Sequence, residues 1–116
     1  MANVTLRGNT LNTNGDLPAV GAPAPDFTLT GGDLGDVTKE TLAGQKVVLN
    51  IFPSIDTPTC AQSVRSFNEK AASREGTLVL CVSEDLPFAM NRFCGAEGIE
   101  NVKVASGFRS DFADAY

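Results

Sequence analysis

The stretch from Lys46 to Val82, KVVLNIF PSIDTPTCAQSVRSFNEKAASREG TLVLCV, decides how this chain folds. Lys46-Val47-Val48-Leu49-Asn50-Ile51-Phe52 and Thr77-Leu78-Val79-Leu80-Cys81-Val82 are apolar, β-branched runs. Such runs mark strands buried on both faces, as in a parallel sheet. Between them, Cys60, Val64, Phe67 and Ala71 recur at helical spacing and form one apolar stripe. Gln62, Ser66, Glu69, Lys70 and Ser73 take the opposite face. Pro58 suits the first helical position, where its missing N–H would have gone unpaired anyway, and this makes Thr57 the N-cap. Gly76 supplies the C-terminal stop. The unit reads strand–helix–strand, with the right-handed crossover that parallel strands require.

Outward from this unit the pattern is plainer. Val4 to Leu6 and Thr10 to Thr13 flank Arg7-Gly8-Asn9 as a short N-terminal hairpin. Val20-Gly21-Ala22-Pro23-Ala24-Pro25 must be extended, because proline forbids helix there. It leads into Asp26-Phe27-Thr28-Leu29-Thr30, whose period of two predicts a strand. Gly31 to Asp36 reads as loop, and Thr38 to Leu42 as a single helical turn. Leu86 to Cys94 predicts a second helix, with Asp85 as cap, Pro87 in the first turn, and Gly95 and Gly98 at its end. Asn101 to Ala105 reads as a short strand; Gly107 to Tyr116 shows no clear pattern. The 116 residues form one domain, 1–116, of the α/β class.

Composition excludes whole classes of function. Nine Lys plus Arg against fourteen Asp plus Glu leave a net charge of −5, so no nucleic-acid partner is expected. There is no histidine, which removes Ser-His-Asp and Cys-His catalysis and His-ligated zinc together. Cysteines at 60, 81 and 94 include no CxxC pair and lack zinc-ribbon spacing. Asp26, Asp33 and Asp36 do not follow a calcium-loop pattern. Gly31, Gly32 and Gly35 do not follow a dinucleotide fingerprint. No metal and no cofactor are therefore expected. The polar N-terminal stretch lacks a signal-peptide core and no apolar run is long enough to cross a bilayer, so the expectation is a cytoplasmic protein without a membrane partner.

The chemistry then rests on the cysteines, each either a core filler or a reactive thiol. Cys81 lies inside an apolar strand and reads as core. Cys60 sits near the third residue of a helix, facing unpaired N–H groups and the positive end of the dipole. A free thiol is only ~3% ionised at pH 7, and a helix terminus favours the anion by ~0.3–1 kcal/mol, ~2 at most. The helix activates Cys60 without completing the task; a guanidinium would have to supply the rest.

Pro53-Ser54-Ile55-Asp56-Thr57-Pro58-Thr59-Cys60 fits the PxxxTxxC motif, and here the chain resembles the peroxiredoxins. Thr57 to Asn68 is similar to the thiol peroxidase branch in particular. So are Val4 to Asn9, Leu17 to Gly21, Ala24 to Leu29, Val82 to Ala89 and Arg92-Phe93-Cys94. The resemblance implies a thioredoxin-like fold with an N-terminal β-hairpin, working as an atypical two-cysteine peroxidase on hydrogen peroxide and organic hydroperoxides. It makes Cys60 the peroxidatic cysteine, with Thr57 hydrogen-bonding thiolate and peroxide and Pro53 shielding the sulfur. It makes Cys94 the resolving cysteine, which closes an intramolecular disulfide with Cys60 that thioredoxin reduces. A closed loop of 33 intervening residues is worth ~4 kcal/mol in the chain-entropy model, enough to offset some unwinding. The branch whose second cysteine lies five residues after the first is disfavoured, because Arg65 stands there. A homodimer is also implied.

The same resemblance implies further strands, a closing helix and a second active-site arginine beyond Tyr116, so the fold is expected to be C-terminally incomplete. Arg65 is a poor substitute, rotated ~140° from Cys60 on the helix. The competing reading is a non-catalytic thioredoxin-fold redox sensor or binding module.

Overall fold

The computed structural model describes residues 1–116. Two short strands, β1 (Asn3–Leu6) and β2 (Asn9–Asn12), form the expected hairpin as a separate, fully exposed ribbon. Arg7 and Gly8 turn it with φ of 51° and 82°, the double positive-φ turn whose twist matches a two-residue hairpin. Asn14 Nδ2 donates to Asp114 Oδ1 at 2.8 Å and ties the ribbon's exit to the body.

The body is a five-stranded sheet in the order β4-β3-β7-β6-β5. It comprises β3 (Thr28–Gly31), β4 (Asp36–Thr38), β5 (Lys46–Ile51), β6 (Thr77–Ser83) and β7 (Lys103–Ser106). β5, β6 and β7 run parallel in sequence order, joined through α1 (Pro58–Ala71) and α2 (Pro87–Glu97). β3 and β4 complete the sheet as antiparallel neighbours. A one-turn helix, α3 (Phe112–Ala115), follows β7.

Alternate residues of β6 feed two cores on opposite faces of the sheet. Leu80 and Val82 pack with Phe27, Leu29, Leu42, Ala105 and Phe112. The Phe112 and Tyr116 rings stack there at 4.4 Å, with Phe27 edge-on to both. Val79 and Cys81 pack on the other face with Phe52, Ile55, Val64 and Val102. The stripe read from the sequence supplies this second core, since Cys60, Phe67 and Ala71 border it beside buried Val64.

Several expectations are corrected. β6 is buried on both faces, but β5 is an edge strand with Val48 and Ile51 exposed, because it has a neighbour on one side only. Asp36, read as loop, and Thr38, read as helical, both belong to the strand Asp36–Thr38; Gly31 N–H donates to the Gly35 carbonyl to close the tight turn before it. The helical turn beyond it shrinks to a 3₁₀ segment, Glu40–Leu42. Gly95 does not end α2, which runs on to Glu97 and stops at Gly98 in the left-handed region, φ 68°. Asp85 does not cap α2 either: Leu86 holds the N-cap position and contributes no side-chain bond.

Candidate active site

The site begins where β5 stops. Phe52 N–H donates to the Val82 carbonyl, and the chain then turns through Pro53–Asp56 into α1. The buried side chain of Ile55 anchors this turn in the second core. The Ser54 carbonyl is its hub, accepting the Thr57 N–H at 3.2 Å and the Thr57 hydroxyl at 2.8 Å. Thr57 is the N-cap and Pro58 the first helical residue, as the sequence predicts, although the Thr57 side chain makes no capping bond.

Cys60 falls on the first turn of α1 as a half-buried free thiol. Ala61 N–H closes the first helical bond, to the Thr57 carbonyl at 2.9 Å. The Thr59 and Cys60 N–H groups precede it and have no acceptor within the chain. The first turn is fastened to the sheet from below. Ser63 donates to the Cys60 carbonyl at 2.7 Å, and Asn50 Nδ2 on β5 donates to Ser63 Oγ at 3.1 Å. Thr57 does not bond Cys60 here; its proton goes to Ser54, which leaves the Thr57 oxygen free to accept from a ligand. Pro53 lies exposed at the head of the turn.

Cys94 is the other half-buried free thiol, in the last turns of α2. Burial pushes its thiol above the ordinary value. Its carbonyl accepts from both Gly98 and Ile99 and so closes the helix. Arg65 spans the two helices: its Nε lies 2.6 Å from Glu97 Oε1, and its guanidinium sits 5.4 Å from the Phe93 ring centre. Cys81 is fully buried, and burial first, with Cys94 nearby, pushes it up to about 11 against the lowering effect of an Asn50 hydrogen bond. It is core, as read.

No arginine is bonded at Cys60. Arg65 is held by Glu97, and Arg109 donates to Thr30 Oγ1 at 2.9 Å beside a cavity of about 560 Å³ lined by Asp26, Asp36 and Asp111. No group of His, Cys, Asp or Glu is arranged to hold a metal, and no helix is long and apolar enough to cross a membrane.

Sequence reasoning missed Asn50, Ser54 and Asp85. Asn50, the one polar side chain inside an apolar strand, was the available signal for a sheet-to-helix tether. Ser54 and Asp85 gave none, because they meet across 31 residues of chain.

A strand, a tight turn and a thiol on the first turn of the following helix, within a thioredoxin-like sheet, define a cysteine-based redox protein. Comparison with known proteins gives the family. Residues 19–116 match the Redoxin family model. The thiol peroxidase of Mycobacterium tuberculosis is 64% identical over the whole chain, which spans 70% of that relative. The thiol peroxidase of Corynebacterium glutamicum is 55% identical over 98% of the chain and 69% of its own length. Among solved structures, a peroxiredoxin-like protein from Aquifex aeolicus is 40% identical with a TM-score of 0.82, over 92% of this chain. The chain spans 63% of that protein, less than two thirds of it. The chain belongs to the Redoxin family and, within it, to the thiol peroxidases, enzymes of the peroxiredoxin type.

Proposed function

We propose that the chain reduces hydrogen peroxide and organic hydroperoxides through Cys60, with Cys94 resolving the oxidised form. The Cys60 thiolate attacks one peroxide oxygen and the O–O bond breaks. The sulfur is oxidised to sulfenic acid, and the second oxygen leaves as alkoxide or hydroxide and takes a proton. Cys94 then attacks the sulfenic sulfur, forming a disulfide within the chain and releasing water. A dithiol reductant of the thioredoxin class returns both thiols. The observation that carries this reading is Cys60 on the first turn of α1, beside two N–H groups with no acceptor of their own. Such donors stabilise a thiolate and the negative charge that develops on the departing oxygen. Thr57, with its hydroxyl proton committed to Ser54, is suited to accept a hydrogen bond from the peroxide O–H. Pro53 would cover the sulfur from water.

A homodimer and a cytoplasmic setting complete the proposal and rest on the family likeness. Peroxide-dependent trapping of a sulfenic acid by dimedone, mapped to Cys60, tests the first step. Oxidation of thioredoxin driven by peroxide tests turnover. Loss of both in Cys60→Ser is expected, whereas dimedone labelling without turnover would leave a redox sensor in place of an enzyme.

A further inference from the structure

Beyond the apolar anchor of Ile55, the hydrogen bonds that tie the Cys60 turn to the rest of the molecule converge on one side chain. Residues 53–56 make hydrogen bonds among themselves and with Thr57, all through Ser54. Two bonds reach beyond the turn, and both end on the Asp85 carboxylate. Ser54 Oγ donates to Oδ1 at 2.8 Å, and Ile55 N–H donates to Oδ2 at 2.7 Å. Ser83 Oγ, at the end of β6, donates to the same Oδ2 at 2.7 Å.

Asp85 is itself immobilised from two strands. Its N–H donates to Ser83 Oγ at 3.2 Å, and its carbonyl accepts the Ser106 hydroxyl from the end of β7. No cation pairs with it, so neutral donors alone satisfy the carboxylate. Burial opposes its ionisation, but the bonds from Ile55, Ser83 and Ser54 prevail and keep the carboxyl below its usual range. An aspartate just before a helix ordinarily caps it, a contribution of ~1 kcal/mol. Here that option is left unused and α2 starts without a side-chain cap.

We propose that Asp85 is a positioning residue for the peroxide reaction, its carboxylate fixing Ser54 so that Thr57 and Cys60 address one peroxide together. This inference rests on Cys60 being the peroxidatic cysteine. The route is short: Asp85 orients Ser54, the Ser54 carbonyl orients the Thr57 hydroxyl, and Thr57 stands at the head of the helix turn that carries Cys60, its carbonyl accepting the Ala61 N–H. Small errors of placement in such arrays cost up to ~100-fold in rate.

The test compares two reactions of Cys60 in the full chain. Oxidation by hydrogen peroxide needs the substrate held at two points; alkylation by iodoacetamide needs only an accessible thiolate. Asp85→Asn keeps the shape and replaces an acceptor with a donor. Thermal melting confirms which variants are folded. The expected result is a fall of about 10- to 100-fold in the second-order constant for peroxide, with alkylation within about threefold of the unaltered chain. Ser54→Ala should lower the peroxide constant in the same sense, and the double variant should be no worse than Asp85→Asn alone. A folded Asp85→Asn with an unchanged peroxide constant overturns the inference, as does a parallel fall in both reactions or an additive double variant. If Asp85→Asn does not fold, an unchanged peroxide constant in Ser54→Ala overturns it alone. Failure of the unaltered chain to react with peroxide is a separate result that removes the peroxidatic reading of Cys60 and this inference with it.

Discussion

Cys60 and Cys94 are alike in exposure and differ in what surrounds them. Cys60 has open amides beside it, whereas burial disfavours the Cys94 thiolate. Iodoacetamide at pH 7 should therefore modify Cys60 at least about tenfold faster than Cys94, as peptide mapping would show. Cys94→Ser should keep the first oxidation and lose turnover, with sulfinic acid accumulating at Cys60 under excess peroxide; intact mass reads the two added oxygens. Asp85 gives an acid limit. Its carboxyl is lowered in the folded state, so its contribution to stability is complete above the unfolded value of ~3.9. That contribution is lost as pH falls through the lower folded value. Asp85→Asn should flatten the acid side of the stability profile, measured by urea unfolding between about pH 5 and pH 2. At this scale Thr57, Pro58 and Cys60 were legible, because capping and helix entry are local chemistry. Asp85 was misread as a cap, since nothing near it in the chain reveals a partner some 30 residues upstream.

Among the elements, α2 carries a glycine in its interior. Gly95 lies inside it, and a side chain there would meet nothing within 4 Å. Gly95→Ala should therefore stabilise α2 by ~1 kcal/mol. If Cys94 reaches Cys60 by unwinding this helix, the same change should slow disulfide formation about fivefold, which rapid-quench mass analysis can follow. An unchanged rate would mean that α2 stays wound during resolution. The strand–helix–strand unit was legible because two apolar runs and a helical stripe admit few arrangements. The rank of each strand in the sheet was not. β5 and β6 have the same kind of sequence, and only their neighbours decide that one is an edge and the other central. Strand β4, three residues long, offers too little periodicity to be read at all.

At the scale of the molecule, β6 is the common wall of two cores, and its side chains serve both. Leu80 is fully buried in the first, so Leu80→Ala should cost ~2–5 kcal/mol, read from the urea midpoint. Typical domains have ~5–15 kcal/mol in total, so this one substitution tests how marginal the fold is. The same strand turns Cys81 toward the opposite face, sealed and held in its unreactive thiol form. With the other two sulfurs blocked, a thiol reagent can register Cys81 only when the core between the sheet and its helices opens. Its labelling kinetics are thus a native gauge of how often that core opens, needing no introduced probe.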